Sequence, residues 1–64
     1  MTAEELARWL HDTYERLAPE FGYETRAETR QFDPTTPNGR LMIAVCGELQ
    51  KLFDEWAQEL WWGR

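Results

Sequence analysis

The stretch TPNGRLMIAVCGELQKLFDEWAQELW, residues 36–61, decides the fold of this 64-residue chain. Its apolar residues recur at helical spacing for about five turns, a continuity that a strand does not explain. These residues are Leu41, Ala44, Val45, Leu49, Leu52, Phe53, Trp56 and Leu60. Thr36 suits the N-cap of a helix, and Pro37 suits its first position, where a missing N–H has no cost. The stretch therefore predicts a helix from 37 to about 61.

A β-hairpin is the alternative for the beginning of this stretch. Asn38-Gly39 is typical of a type I′ turn, and the apolar run Leu41 to Val45 would suit the strand that follows it. The hairpin gives no account of the apolar pattern beyond Val45, and long periodic segments indicate helix most dependably. We therefore expect the helix.

An earlier helix is predicted from the beginning of the chain. Thr2 and Glu5 have the spacing of a capping box, in which each side chain accepts a hydrogen bond from the other residue's backbone amide. One stripe of a 3.6-residue period follows, made of Leu6, Trp9, Leu10, Tyr14, Leu17 and Ala18. Pro19 ends or redirects the helix. This pattern predicts a helix over about 3–18.

No period persists between the two helices, over residues 19–36, where turn-forming residues interrupt the chain. A chain of this length supports one core and no second domain. The prediction is a single all-α domain over 1–64, with two main antiparallel helices joined by a long irregular segment.

Composition limits the classes of function. The formal net charge is −5 and the isoelectric point about 4.7, which argues against general nucleic-acid binding and against attachment to an anionic membrane. Cys46 is the one cysteine, which indicates a reducing compartment. The sequence also lacks a signal-peptide pattern and an apolar stretch of the roughly 18 residues that a membrane span needs. We expect a cytoplasmic protein, complete as written.

The predicted helices differ in length, about 37 Å against about 24 Å at 1.5 Å per residue. In an antiparallel pair, the last turns of the longer helix project beyond the shorter one. Those turns are rich in aromatic residues: Phe53, Trp56, Leu60, Trp61 and Trp62. The pattern predicts that this aromatic end is buried against another chain, most simply a second copy in a four-helix homodimer.

The irregular segment and the start of the next helix hold a basic, polar group of residues in an otherwise acidic protein. We call this group the arginine loop: Tyr23, Thr25, Arg26, Thr29, Arg30, Asn38 and Arg40. Arginine offers forked donors to phosphate or carboxylate, and an aromatic ring can stack on a base. This pattern is a candidate binding site for a small anionic ligand.

A purely structural interpretation of the arginine loop is the alternative. In that case Arg26 and Arg30 pair with acidic neighbours and fasten the loop to the helices. The available neighbours are Glu24, Glu28 and Asp33, while Tyr23 and Phe32 would anchor the loop as apolar plugs.

Catalytic and metal-binding patterns are weak. His11 and Glu15 have the i, i+4 spacing of two metal ligands, but no second histidine exists to complete a zinc site. A surface or boundary histidine beside a carboxylate is the simpler interpretation of His11. Cys46 paired with His11 would be a nucleophile, yet Cys46 lies in an apolar run where free cysteines are packed and inert. We expect no enzyme activity, no metal and no cofactor.

One resemblance adds to these inferences, and it covers residues 5–46. The residues that carry it are Leu6-Ala7, His11, Tyr14-Glu15, Leu17-Ala18, Phe21-Gly22-Tyr23, Thr25, Thr29-Arg30, Phe32-Asp33, Pro37, Asn38 and Leu41-Met42. Their order resembles small phage-encoded proteins of unassigned function and, more distantly, the ryanodine receptor repeat domain. The resemblance implies a phage or prophage setting, with the host cytoplasm as location, and a binding role.

Two functional hypotheses follow from the sequence. The first is a non-enzymatic protein that binds or inhibits a host protein through its acidic helices and aromatic C-terminal end. The second is a sponge or sensor for a small anionic ligand, such as a nucleotide, held by the arginine loop.

Overall fold

The computed structural model describes residues 1–62, with side chains described for residues 1–60. It contains helix α1, Ala3–Leu17, and helix α2, Pro37–Trp62. Two short 3-10 turns, Ala18–Phe21 and Ala27–Thr29, lie between them. The predicted all-α class with two helices is therefore confirmed for the described part of the chain.

The beginnings of both helices are fixed by the side chains that the sequence indicated. Thr2 Oγ1 accepts from the Glu5 amide at 3.1 Å, and Glu5 Oε1 accepts from the Thr2 amide at 2.8 Å, which completes the capping box. Thr36 Oγ1 accepts from the Gly39 amide at 3.1 Å, and Pro37 is the first residue of α2. The hairpin alternative is excluded, because residues 37–62 form one helix.

Helix α1 continues directly into the first 3-10 turn. Pro19 stands inside that turn, and Gly22 ends it with a φ of +81°, in the left-handed region that glycine enters without strain. The Gly22 amide donates to the Pro19 carbonyl at 3.1 Å. Proline thus redirects the chain at the end of α1.

The two helices run antiparallel over part of their length. Gln50 Nε2 donates to the Met1 carbonyl at 2.7 Å, so the middle of α2 lies beside the beginning of α1. Tyr14 and Met42 line one cleft, which places the end of α1 beside the beginning of α2. Among the side chains described, over residues 1–60, Ala7, Ala18 and Cys46 form the buried apolar core, and His11 and Gly39 are also buried. This is a small core even for a short chain.

The molecule is a flat, single layer of helices. Its principal dimensions are 47 × 28 × 14 Å and its radius of gyration is 14.5 Å, against about 11 Å for a compact chain of this length. Every residue from 51 to 60 is exposed, since α1 ends its contact with α2 near Gln50. The C-terminal turns of α2 therefore project without cover from α1.

Candidate functional site

His11 anchors the irregular segment to α1. It is 6% exposed, so it is buried rather than at the surface or boundary as predicted, while the predicted carboxylate neighbour, Glu15, is present. Its Nε2 lies 3.0 Å from the Arg30 carbonyl, which requires that this nitrogen carry the proton of the bond. Glu15 Oε1 lies 3.8 Å from the same nitrogen. The histidine therefore has a structural role that accounts for its burial.

Phe32 contacts the same anchor. Its ring centroid lies 5.8 Å from that of His11 at a tilt of 56°, and the Arg8 guanidinium lies 5.1 Å from the Phe32 centroid. Phe32 therefore contacts α1, which agrees with its interpretation as an anchor of the loop. Tyr23, the other predicted plug, is mostly exposed.

Three members of the arginine loop are used to hold the loop itself. Thr25 Oγ1 donates to Glu15 Oε2, and Arg30 Nη2 donates to the Thr25 carbonyl at 3.1 Å. Thr29 Oγ1 donates to the Arg26 carbonyl at 3.3 Å. These bonds agree with the structural interpretation, in which the loop residues hold the loop in place. Two of the three acceptors are backbone carbonyls, which cannot be identified from the spacing of side chains in the sequence.

The predicted ion pairs of Arg26 and Arg30 with nearby acids are not formed. Within the described residues, the ion pairs are Arg8–Glu4 and Lys51–Glu48. Asp33 Oδ1 instead accepts from the Thr35 hydroxyl at 2.6 Å and from its amide at 2.9 Å. Those two bonds, the hydroxyl bond first, lower the pKa of the Asp33 carboxyl. Asp33 thus fixes a turn rather than an arginine.

A cleft of about 450 Å³ lies between the arginine loop and the helices. Five of the seven predicted ligand residues line it: Tyr23, Thr25, Arg26, Thr29 and Asn38. Arg30 and Arg40 are not among its lining residues. Glu15 and Glu24 also line the cleft, so its lining includes two acidic residues and one arginine. The electrostatic attraction of the cleft for an anion is therefore weaker than the sequence of the arginine loop alone indicates.

The Cys46 thiol is buried, and the possible metal ligands are dispersed within the described part of the chain. Cys46 is 1% exposed, so a substrate does not reach its thiol. Within the described residues, no group of three or more His, Cys, Asp or Glu side chains is placed to hold a metal ion. Neither helix in that range is long and apolar enough to cross a membrane.

A second candidate site lies on α2 itself and is apolar. We call it the α2 stripe: Leu41, Val45, Leu49, Leu52, Trp56 and Leu60. Leu49 is half-buried, and the other five side chains are 45–63% exposed. With about 100° between successive helical residues, the six lie within an arc of about 100°. The centre of that arc is about a quarter of a turn from Cys46, which marks the buried face.

The predicted aromatic end overlaps the α2 stripe in part. Trp56 and Leu60 belong to both, and Phe53 is 51% exposed at the edge of the stripe. The side chains of Trp61 and Trp62 lie outside the described part of the structure. Leu41, Val45, Leu49 and Leu52 were not assigned to a site from the sequence. The sequence did carry a signal for them, because every residue from 41 to 46 is apolar. Such a run is apolar around the whole helix, and a single neighbouring helix covers only one face of it.

Comparison of the chain with family models, with curated proteins and with solved structures finds no match in any of the three. The geometry and chemistry of the described residues are therefore the main evidence for a function, and the resemblance is a separate indication.

Proposed function

We propose that this chain is a small, non-enzymatic binding protein whose principal binding surface is the α2 stripe. The occupant in solution is a second copy, which gives a four-helix homodimer. The observation that carries the proposal is the uncovered end of α2, where Leu52, Phe53, Trp56 and Leu60 are each about half exposed.

The exposed area supports an interface rather than a bare surface. Together with Phe53, the exposed parts of the stripe amount to on the order of 700 Å², close to the roughly 800 Å² that each partner buries in a specific interface. Soluble monomers rarely expose contiguous apolar patches above a few hundred Å². The small core of the single chain adds a reason for association, because burial of the stripe supplies stability that the core lacks.

Charge indicates which foreign protein could compete for this surface. Asp54, Glu55 and Glu59 alternate with the apolar residues of the projecting end, and the chain carries a net charge of −5. An apolar groove with a basic rim complements such a helix and would be found rapidly through long-range attraction. In the phage setting that the resemblance implies, the competing occupant is a host protein, and binding to it would inhibit that protein.

The solution mass of two tryptophan variants tests this proposal. Trp56 is in the stripe and Trp9 is on α1, and the two are almost equally exposed, at 58% and 57%. Trp56→Ser should shift the protein from dimer to monomer in light scattering, whereas Trp9→Ser should leave the dimer intact. Equal effects of the two substitutions, or a monomeric wild type at about 100 µM, would contradict the proposal.

A second candidate function, a sponge or sensor for a small anion, is favoured by one observation. The structure gathers five of the predicted loop residues around the same cleft. A nucleotide present at about 100 times its dissociation constant would raise the unfolding free energy by about 2.7 kcal/mol, and the melting temperature with it. Because Glu15 and Glu24 line the cleft, we expect no such shift with nucleoside mono-, di- or triphosphates. A shift that Arg26→Gln removes would instead support this function.

A further inference from the structure

We infer that two copies of the chain pair antiparallel along the α2 stripe, with the two-fold axis between Leu49 and Leu52. This inference rests on the proposed self-association and adds its orientation and register. Four independent features of α2 support it: the spacing of the stripe, the sizes of its residues, the distribution of charge and the length of the uncovered end.

The spacing of the stripe reads the same in both directions. Successive stripe residues are 4, 4, 3, 4 and 4 positions apart. When two such helices are antiparallel and centred between Leu49 and Leu52, every stripe residue comes level with a stripe residue of the other copy. Leu41 is then level with Leu60, Val45 with Trp56, and Leu49 with Leu52. An isologous interface requires this self-complementarity.

The sizes of the residues agree with that register. The largest stripe side chain, Trp56, comes level with the smallest, Val45, and leucine is level with leucine elsewhere. Cores fill their volume best when large and small residues face one another. A parallel pair would place Trp56 against Trp56 and Val45 against Val45, which overfills one layer and leaves space in the other.

Charge also favours the antiparallel orientation. Residues 51–60 contain three acids, Asp54, Glu55 and Glu59, and one base, Lys51, while residues 41–50 contain Glu48 alone. A parallel pair would bring the three acids beside their own copies, and like charges at an interface are unfavourable. The antiparallel pair places each acidic end beside the nearly neutral half of the other α2. The oriented helix dipoles oppose one another in the same arrangement.

In this register, the uncovered end of α2 packs against the second copy. Residues 53–60 come level with residues 41–48 of the other copy, the half of α2 that lies beside α1. A further apolar cleft, of about 590 Å³, lies on α1 and the turn after it, with Leu10, Tyr14, Leu17, Phe21 and Tyr23 among its lining residues. The half of α2 without an intrachain neighbour thus meets the two-helix part of the second copy, which accounts for the unequal lengths of α1 and α2.

Thiol cross-linking tests the orientation and the register together. Leu41→Cys and Leu60→Cys chains are prepared separately, and each is treated with a short bis-maleimide alone and after mixing. In the proposed register, residue 41 is level with residue 60 of the other copy, whereas two copies of residue 41 are about 28 Å apart along the axis. Only the mixture should give a covalent dimer. Wild type is the control for Cys46, which is buried.

A mixture of Leu41→Cys with Val45→Cys is the matched control for register, because residue 41 is offset from residue 45 of the other copy by about 22 Å along the axis, and two copies of residue 45 by about 16 Å. This mixture should remain unlinked. If light scattering shows that the leucine variants do not dimerise, Ala44→Cys with Glu59→Cys replaces them. These two exposed positions flank the stripe and come within two residues of the same level.

The outcomes separate this inference from the proposal beneath it. Cross-linking confined to the matched mixture supports the antiparallel register. Cross-linking of Leu41→Cys or Leu60→Cys to itself shows a parallel pair. If the protein is a dimer by mass but neither the Leu41→Cys/Leu60→Cys mixture nor the Ala44→Cys/Glu59→Cys mixture is cross-linked, the dimer has another register. Either result overturns the inference and leaves self-association standing. A wild-type monomer overturns both.

Discussion

Two glycines of α2 differ in what surrounds them. A Cβ built on Gly39 would lie 1.9 Å from the Asp33 carbonyl oxygen, while a Cβ on Gly47 would meet no described heavy atom within 4 Å. The close approach at Gly39 lets the turn at Asp33 lie directly on the first turn of α2. Gly47 allows no such close approach, so its effect on stability is only the entropic cost of a glycine inside a helix.

Alanine at these two positions should therefore have opposite effects. Gly39→Ala forces the Asp33 backbone away from the helix and should lower the free energy of unfolding by about 2–3 kcal/mol. Gly47→Ala should raise it by about 0.5–1 kcal/mol, because it removes helix-interior glycine without a clash. Urea denaturation followed by circular dichroism measures both. Destabilisation of similar size by both substitutions would show that the helix packs differently around Gly47.

His11 should contribute to stability through the loop it holds. His11→Ala removes the bond to the Arg30 carbonyl and the contact with Phe32, and should cost about 2–3 kcal/mol. The exposed neighbour Asp12, on the same helix, provides the control, since Asp12→Ala should change stability by less than about 0.5 kcal/mol. Hydrogen exchange should rise at residues 25–33 in the His11 variant. Unchanged exchange in that segment would contradict the anchoring role.

At the scale of the element, the beginning of α1 makes stability depend on pH. The bonds from Thr2, the backbone bond first, lower the pKa of the Glu5 carboxyl below its ordinary value of 4.5. A lowered folded-state pKa adds stability above the ordinary pKa, and this contribution is lost as the pH falls through the folded-state value.

Glu5→Gln isolates the charge, because glutamine retains a capping-box acceptor. Wild type should be the more stable of the two above the ordinary pKa of 4.5, and the difference between their unfolding free energies should shrink as the pH falls below that value. Urea denaturation at a series of pH values checks this. A difference that persists unchanged at the lowest pH would assign the effect to something other than the carboxylate.

The elements themselves follow from local sequence, whereas their contacts do not. Thr2 with Glu5 and Thr36 with Pro37 mark the helix beginnings, because caps act on amides within three residues. The bond from His11 to the Arg30 carbonyl spans 19 residues, and the approach of Gly39 to Asp33 depends on how the loop turns.

Periodicity identified the apolar set of α2, but only the fold shows which members α1 leaves uncovered. The same reason explains why only some of the predicted ligand residues line the cleft. Arg30 was predicted there from its position in the sequence, but its guanidinium donates to the Thr25 backbone carbonyl.

At the scale of the whole molecule, the negative charge should oppose the association that the stripe drives. Each chain has a net charge of −5, so two copies repel one another over distances that salt screens. The dimer dissociation constant should therefore fall several-fold between about 20 and about 200 mM NaCl. Glu59→Gln should make this dependence weaker. A dimer that dissociates as salt rises would instead indicate that cross-chain ion pairs hold it together.

The mass of the wild-type particle is the most direct test of the central claim, that the α2 stripe is covered by a second copy. Sedimentation equilibrium from low micromolar to about 100 µM in moderate salt measures it without a variant or a label. Self-association through the α2 stripe predicts a mass that rises to twice 7.7 kDa. A mass that stays at 7.7 kDa across the range would contradict it.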